Sequence, residues 1–575
     1  MMFEYWNRNA LIASLRGYRL ADLRADLMAG VTVGIVAVPL AMALAIASGV
    51  PPQYGLYTAI IAGLIIALSG GSRFSISGPT AAFVVILLPI THEYGLGGLL
   101  LTTVMAGVIL IIMGVARMGR LIQYIPYPVT IGFTAGIAVV IAGLQIKDFL
   151  GLTTGELPQH FLEKLAMLLQ ALPSARWPDL VIGLITLSVL LLWTRLKTRI
   201  PGHLVALLTG ALAAWVLGWF LPDFSVATIN SQFSYMLDGV TRQGIPQAPP
   251  LPLLPWALPG GDGNPIGISW QLIRELLPAA FTVAMLGAIE SLLCAVVADG
   301  LTGARHQPDT ELIGQGLGNL IGPFFGAIPA TAAIARTATN IRAGARSPVA
   351  AIVHALVILV VVISLAGLLG QLPMAALAAL LLVVAWNMSE ARHFVNIVKV
   401  APRCDVVVLL ACFGLTVVFD MVIAVAAGLV LAAILFIRRI SVLTGTELMD
   451  TSAHQHLGEL PPHVAVYDIN GALFFGAAEK AMSALRSTSR DVRIVILDMS
   501  DVPMIDMTGI VALESLLENL HQRGIAVIIA NLKPRMQDKL LRAGIREQAG
   551  RLEFAGGLDE ARERALSLPA QTATM

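Results

Sequence analysis

The sequence predicts a polytopic α-helical membrane protein followed by a small soluble α/β domain. Three observations carry that reading. Of 575 residues, 57% are hydrophobic and only 13% are charged, with a mean hydropathy of +0.80. A soluble domain carries about 25% charged residues to cover its surface. Apolar segments of near-spanning length recur from Leu27 to Ile437. After Arg439 the apolar runs shorten and alternate between strand-like and helix-like composition.

The chain opens with residues 1–26, which hold Arg8, Arg16, Arg19 and Arg24 but no short apolar run with a cleavage site. They read as a cytosolic lead-in. A helix needs about 20 apolar residues to cross a bilayer. The candidate segments are 27–48, 54–71, 79–91, 97–115, 124–145, 178–194, 203–221, 276–297, 311–327, 331–344, 348–369, 373–389, 405–420 and 421–437. That makes fourteen, the last two divided only by Asp420. Two of them, 79–91 and 331–344, are too short to cross.

Loop charge supports the even count. Basic residues gather on the cytoplasmic side of membrane proteins. With a cytosolic N-terminus, in or beside the loops after even-numbered segments lie Arg73; Arg117 and Arg120; Arg195, Lys197 and Arg199; Arg305; Arg342 and Arg346; Arg392, Lys399 and Arg403; then Arg438 and Arg439. The short loops on the other side hold none, and long loops obey the rule less strictly. The stretch 222–275 is rich in proline and reads as an extended external loop.

Beyond a linker over 441–462, strands are expected at 464–469, 472–475, 493–497 and 526–530, rich in Val and Ile. Helices are expected between and after them, at 477–486, 509–521 and 534–543. The division is therefore a transmembrane domain over 27–440 and an α/β domain over 463–570, the latter a normal single-domain size. By the same loop-charge argument both termini are cytosolic.

Several classes are disfavoured. Net charge is +1, so nothing points to nucleic acid. The three cysteines, Cys294, Cys404 and Cys412, lie in or beside apolar segments with no C-x-x-C spacing, against a disulfide framework or a zinc site. No nucleophile–base pair or metal cluster emerges, so neither an enzyme nor a cofactor is expected.

The two short segments share a local pattern. One begins Ser77-Gly78-Pro79-Thr80-Ala81-Ala82, the other Ile328-Pro329-Ala330-Thr331-Ala332-Ala333. Each has a proline where a helix would start, followed by small residues. They stand third in each half of seven. Matched interrupted segments in two halves point to an inverted repeat with a site at mid-membrane. Two helix N-termini facing each other offer free N–H groups and partial positive charge, which favours an anion. The alternative is a pair of ordinary proline-kinked helices.

Arg336 lies inside the second short segment. An intramembrane charge costs about 2.5–3.5 kcal/mol on insertion scales and needs a cavity or counter-charge. An anion would supply the counter-charge; the alternative is an arginine that snorkels to the cytosolic end. Glu290, in Gly287-Ala288-Ile289-Glu290-Ser291, is the second intramembrane charge. It could couple anion movement to protons, or pair with Arg336 structurally. His354 reads as a satisfied core residue. The run Gly314-Gln315-Gly316-Leu317-Gly318 lacks the Lys-Ser/Thr of a phosphate loop and reads as helix packing.

These motifs identify the chain as similar to the SulP family of anion transporters, whose members end in a STAS domain. The resemblance covers nearly the whole chain. It rests on Pro52-Gln53-Tyr54-Gly55-Leu56-Tyr57-Thr58, Gly70-Gly71-Ser72-Arg73 and Ser77-Gly78-Pro79-Thr80. Within the family it leans toward enterobacterial dicarboxylic acid transporters, through Gly71–Ser75, residues 285–294 and residues 385–390. The resemblance implies a seven-plus-seven inverted repeat with core and gate domains, an elevator-type motion, a homodimer and the bacterial inner membrane. It implies substrate contacts at Thr80, Ala81, Ala82, Ala333, Ile334, Ala335 and Arg336, with Phe83 and Gln53 as lesser candidates and Glu290 for coupling. Sodium-coupled relatives use hydroxyl ligands where this chain has Ala332-Ala333-Ile334-Ala335, so protons are the expected coupling ion.

In the C-terminal domain, Ile505-Asp506-Met507-Thr508-Gly509 resembles the Asp-Ser-Ser-Gly loop of anti-sigma-factor antagonists. It makes Thr508 a possible regulatory site, and the domain a possible docking platform for a cytosolic protein. The function expected is proton-coupled uptake of four-carbon dicarboxylates such as succinate, fumarate or aspartate. The alternatives are sulfate or bicarbonate transport on the same fold, an anion channel, and a membrane-anchored sensor. Glu290 argues against a simple channel, because permeation needs no titratable group.

Overall fold

A computed structural model describes residues 9–568 apart from 121–125, 156–157, 159–160, 197, 199–200, 238–239, 420, 444, 450–459, 475–477 and 479–490. It divides into two compact units, residues 1–429 and 430–575.

The helices of the first unit follow the apolar segments. They are α1 (Leu20–Ala47), α2 (Pro52–Ser69), α3 (Ala81–Val115), α4 (Tyr127–Leu150), α5 (Trp177–Trp193), α6 (Gly202–Phe220), α7 (Trp270–Thr302), α8 (Pro308–Ile321), α9 (Ile334–Arg342), α10 (Val349–Leu369), α11 (Met374–Met388), α12 (Ala391–Val400), α13 (Arg403–Val418) and α14 (Met421–Leu443). The last of these crosses the unit boundary. Nine helices among the described residues are long and apolar enough to cross a membrane, with α11 and α12 counted as one run, Met374–Val400. Shorter helices α5, α8, α9 and α13 fill the remaining expected positions. α3 breaks at Gly95, whose φ of 65° interrupts the helix, so its two arms match the third and fourth segments. α12 was expected only as basic loop; it is a short helix with no buried residue.

Packing sorts these helices into two groups. α1 lies on α10, and α3 lies on α7 and α8. α4 lies on α11 and α13, and α5 on α6 and α11. Close approach needs small residues, as expected where lipid supplies no hydrophobic drive. At Gly107 on α3 a Cβ would come 2.5 Å from the Leu320 backbone N on α8. At Gly30 on α1 it would come 2.5 Å from the Ala350 carbonyl on α10. The loop over 222–275 is less plain than expected: it carries a short helix, Ile229–Gln232, and a hairpin of β2 (Ser234–Leu237) and β3 (Val240–Gln243). Two further strands, β1 (Ser77–Gly78) and β4 (Thr331–Ala332), lie inside the membrane unit.

The second unit holds a five-stranded sheet in the order β5 (Gly445–Leu448), β6 (Val464–Asn470), β7 (Ile494–Asp498), β8 (Ala526–Ala530) and β9 (Leu552–Ala555). β5 is antiparallel to β6 and the rest are parallel. Helices α15 (Met507–Gln522), α16 (Pro534–Arg542) and α17 (Leu558–Ser567) cover it. Val495 and Leu497 face Leu513, Leu520 and Leu540 on one side; Ile494, Ile496 and Ile528 face Ala561 and Ala565 on the other. Three expected strands and two expected helices are present. The strand expected at 472–475 is only an isolated bridge, Leu473 to Ile505. β5 falls in the stretch read as linker. The helix expected at 477–486 lies, apart from Ala478, outside the described residues.

Candidate functional site

The two short segments meet. β1 pairs antiparallel with β4, Ser77 opposite Ala332 and Gly78 opposite Thr331. Side chains from neighbouring helices hold this crossing. The Ile76 N–H donates to Thr337 Oγ1 at 3.0 Å, and the Ala333 N–H to the Ile76 carbonyl at 3.0 Å. Gln315 Nε2 donates to Ser77 Oγ at 3.1 Å. Asn319 donates to the Ala330 carbonyl and accepts from the Ala330 N–H, both at 2.8 Å.

A helix leaves each strand. α3 starts at Ala81 after an extended Thr80, and α9 at Ile334 after an extended Ala333. Neither start has a side-chain cap, so the first-turn N–H groups of Ala81–Phe83 and Ile334–Arg336 are not used in that way. The crossing therefore sets two positive dipole ends side by side. The prolines sit differently from the sequence reading. Neither is at a helix start; Pro79 precedes the capping residue, and Pro329 comes before β4.

Arg336, in the first turn of α9, is 2% exposed. Its Nη2 donates to the Pro79 carbonyl. Its Nη1 lies beside Gly78, where a Cβ would come within 2.7 Å. Nε and Nη1 have no hydrogen-bond partner among the described residues. The side chain thus turns into the crossing, and the snorkelling alternative is excluded. Glu290 on α7 is partly exposed and accepts a hydrogen bond from Thr80 Oγ1 at 2.9 Å. No ion pair joins Glu290 to Arg336 among the described residues, so the structural-pair alternative is not realised here.

The remaining expected positions separate. Ala333 and Ile334 are half-buried and Ala335 is exposed, so the start of α9 is accessible. Ala81 and Ala82 are buried at the start of α3. Phe83 is 1% exposed, and a Cβ on Gly287 would meet its ring at 3.5 Å, so it fills the α3–α7 interface. Gln53 is buried, with Oε1 unpartnered among the described residues. His354 departs from expectation: it is buried, but its Nε2 has no partner among the described residues.

Three polar groups were missed. On α8, Glu311, Gln315 and Asn319 form a buried row at helical spacing. Glu311 accepts the Gly71 and Ser72 N–H groups, both at 2.9 Å, and Gln315 Nε2 at 2.9 Å. The i, i+4, i+8 spacing was the available signal. The glycines between do pack, Gly316 against the Gly107 carbonyl. Ser291 and Thr331 share a 2.5 Å hydrogen bond beside Glu290, and Thr331 also reaches the Gly287 carbonyl at 3.2 Å. Asp26, fully buried, accepts from Tyr18 OH at 2.6 Å, the Arg346 and Ser347 N–H groups at 2.6 and 3.1 Å, and Ser347 Oγ at 2.6 Å.

The sulfate permease family model matches residues 23–412, and the STAS domain model matches residues 456–553. The chain belongs to the sulfate permease family. A Bacillus subtilis protein named for sulfate transport, YvdB, is 39% identical over 547 residues, 95% of this chain and 98% of that one. The bicarbonate transporter BicA of Picosynechococcus is 30% identical over 502 residues, 82% of each chain. The solved structure of SLC26A9 superposes with a TM-score of 0.82 at 18% identity, covering 98% of this chain and 94% of that chain, which shows a shared fold. The transmembrane domain of BicA superposes with a TM-score of 0.59 at 29% identity, covering 72% of this chain and 98% of that one.

The STAS domain of this sulfate permease family member places Thr508, exposed, in the first turn of α15. The helix is capped by Asp506, which accepts the Gly509 N–H at 2.8 Å. Lys539 Nζ donates to the Ile505 carbonyl and Lys533 Nζ to the Val502 carbonyl, both at 3.2 Å, bracing the preceding loop.

Proposed function

We propose that the protein is a secondary transporter of a small oxyanion, bound where the starts of α3 and α9 cross and coupled to protons through Glu290. The observation that carries this is the guanidinium of Arg336, buried beside two uncapped helix starts with two of its nitrogens unpartnered among the described residues. A buried cation in that state is balanced by an anion. The ligand takes its charge-assisted hydrogen bonds from Arg336 and the first-turn N–H groups of both helices.

Coupling follows from charge. An ionised Glu290 repels an anion at the crossing, whereas a protonated Glu290 does not. Anion and proton therefore bind together and travel together. Of the hydroxyls around Glu290, Thr80 donates to its carboxylate, and Ser291 and Thr331 are spent on each other and on the Gly287 carbonyl, which leaves few oxygens for sodium. Movement is of the elevator type: the group containing α1, α3, α7 and α10 slides against the group containing α4, α5, α6 and α11. The working unit is a homodimer in the bacterial plasma membrane with both termini cytosolic, and the STAS domain is available for regulation at Thr508 or for docking a cytosolic protein.

Sulfate is the first reading for the substrate, favoured by the 39% identical relative named for sulfate transport. Four-carbon dicarboxylates are the second, favoured by the accessible apolar side chains of Ile334 and Ala335, which suit a carbon backbone better than a bare tetrahedral oxyanion. Uptake of labelled sulfate into proteoliposomes, competed by bicarbonate or succinate, separates them. Saturable sulfate uptake resistant to succinate supports the first reading; succinate uptake without sulfate uptake replaces it with the second; no saturable uptake of either refutes the proposal.

A further inference from the structure

A groove of about 610 Å³ runs between α1, α6 and α10, lined only by Leu, Ile, Val and Pro side chains. It lies where the two helix groups meet, since α6 packs with α5 and α11 while α1 packs with α10. The groove opens sideways: Leu208 is 51%, Val360 61% and Leu368 62% exposed. On a membrane-spanning unit that opening faces hydrocarbon, and a wall without a polar side chain selects hydrocarbon as its occupant. From Val353 to Leu368 the groove follows α10 for roughly 22 Å, longer than the ~15 Å hydrocarbon half of a bilayer. One extended acyl chain fits along it.

The two ends differ in charge. At one end Arg24 sits one helical turn before the groove residue Leu27 on α1, and Arg346 sits in the turn before α10. Both are exposed, and neither has an ion-pair partner among the described residues. Asp26 ties the Arg346 and Ser347 backbone to α1, so both arginines stay at this end. The other end, at residues 365–373, carries no charged residue.

We propose that this groove binds one acyl chain of an anionic phospholipid, whose headgroup rests on Arg24 and Arg346. Basic residues at the membrane surface attract anionic lipid. The chain lies against both helix groups at once, a position from which lipid composition bears on their relative motion. This inference does not depend on the identity of the transported anion.

The test is photolabelling of the full chain in phosphatidylethanolamine vesicles, using phosphatidylglycerol with a diazirine in mid-chain, followed by peptide mapping. Label is expected to concentrate on 349–369 and 204–208, about fivefold above the similarly exposed Val430 and Ile434 on α14. Val360→Trp, a change at an exposed groove position, is expected to bring α10 down to the α14 level. Arg24→Gln with Arg346→Gln is expected to erase the preference over a phosphatidylcholine probe. Even labelling of all lipid-facing helices, no effect of Val360→Trp, or equal labelling by both probes with the native chain would each overturn the proposal.

Discussion

Thr80, the last extended residue before α3, donates its hydroxyl to the carboxylate of Glu290 on α7 at 2.9 Å. The contact links one half-helix start to the only acidic residue of α7 beside the crossing. Replacing Thr80 with Val removes the donor and frees Glu290 from the helix start. Uptake is expected to fall about tenfold, the effect of losing one hydrogen bond to a charged group, with Thr80→Ser close to the native rate. Initial rates in proteoliposomes check this; equal rates for Val and Ser would show that the hydroxyl is idle.

In the proposed site Arg336 is the cation. Arg336→Ala removes charge and donors together, and half-saturation for the anion is expected to rise at least about tenfold, consistent with about 1.5–3 kcal/mol for a charge-assisted hydrogen bond. Arg336→Lys keeps the charge without the planar fork and is expected to fall between. Unchanged affinity in Arg336→Ala would refute the placement of the site.

Much of this arrangement was legible in the sequence, for identifiable reasons. Arg336 and Glu290 stood out because charge inside an apolar run is costly and hence informative. The paired Pro79 and Pro329 neighbourhoods marked the interruption, but not its form. Two-residue strands such as Ser77–Gly78 show no alternation, so the β1–β4 pairing could come only from three dimensions. Glu311, Gln315 and Asn319 sat at readable spacing, yet the intervening glycines drew attention to packing. Asp26 looked like the end of a solvated lead-in; its partners Arg346 and Ser347 are about 320 residues away, and no local pattern reports them. β5 was hidden by its composition, a short edge strand with polar residues.

Asp26 predicts a stability effect separate from transport chemistry. Asp26→Ala leaves the Arg346 and Ser347 N–H groups and two hydroxyls without their acceptor, at a cost of about 2–4 kcal/mol. Asp26→Asn keeps one acceptor oxygen and is expected to cost less. Thermal unfolding of the full chain in detergent measures both, and an unshifted midpoint for Asp26→Ala would show that the buried cluster contributes nothing.

Thr508 lies in the first turn of α15, where negative charge meets the positive end of the helix. Thr508→Glu is expected to stabilise that turn by about 0.3–1 kcal/mol, seen as slower amide exchange over residues 507–512 in the intact protein. Faster exchange would mean that added charge opposes the Asp506 cap, and would remove the physical case for phosphate at this position.

In the proposed mechanism anion movement is joined to a proton on Glu290. Its most direct test is sulfate uptake by the full chain in proteoliposomes, with and without an inward proton gradient, for the native protein and Glu290→Gln. Uptake is expected to be driven above equilibrium by the gradient in the native protein, and to become gradient-insensitive exchange in the variant. Native uptake indifferent to the proton gradient but driven by sodium, or a variant that still concentrates sulfate on a proton gradient, would contradict it.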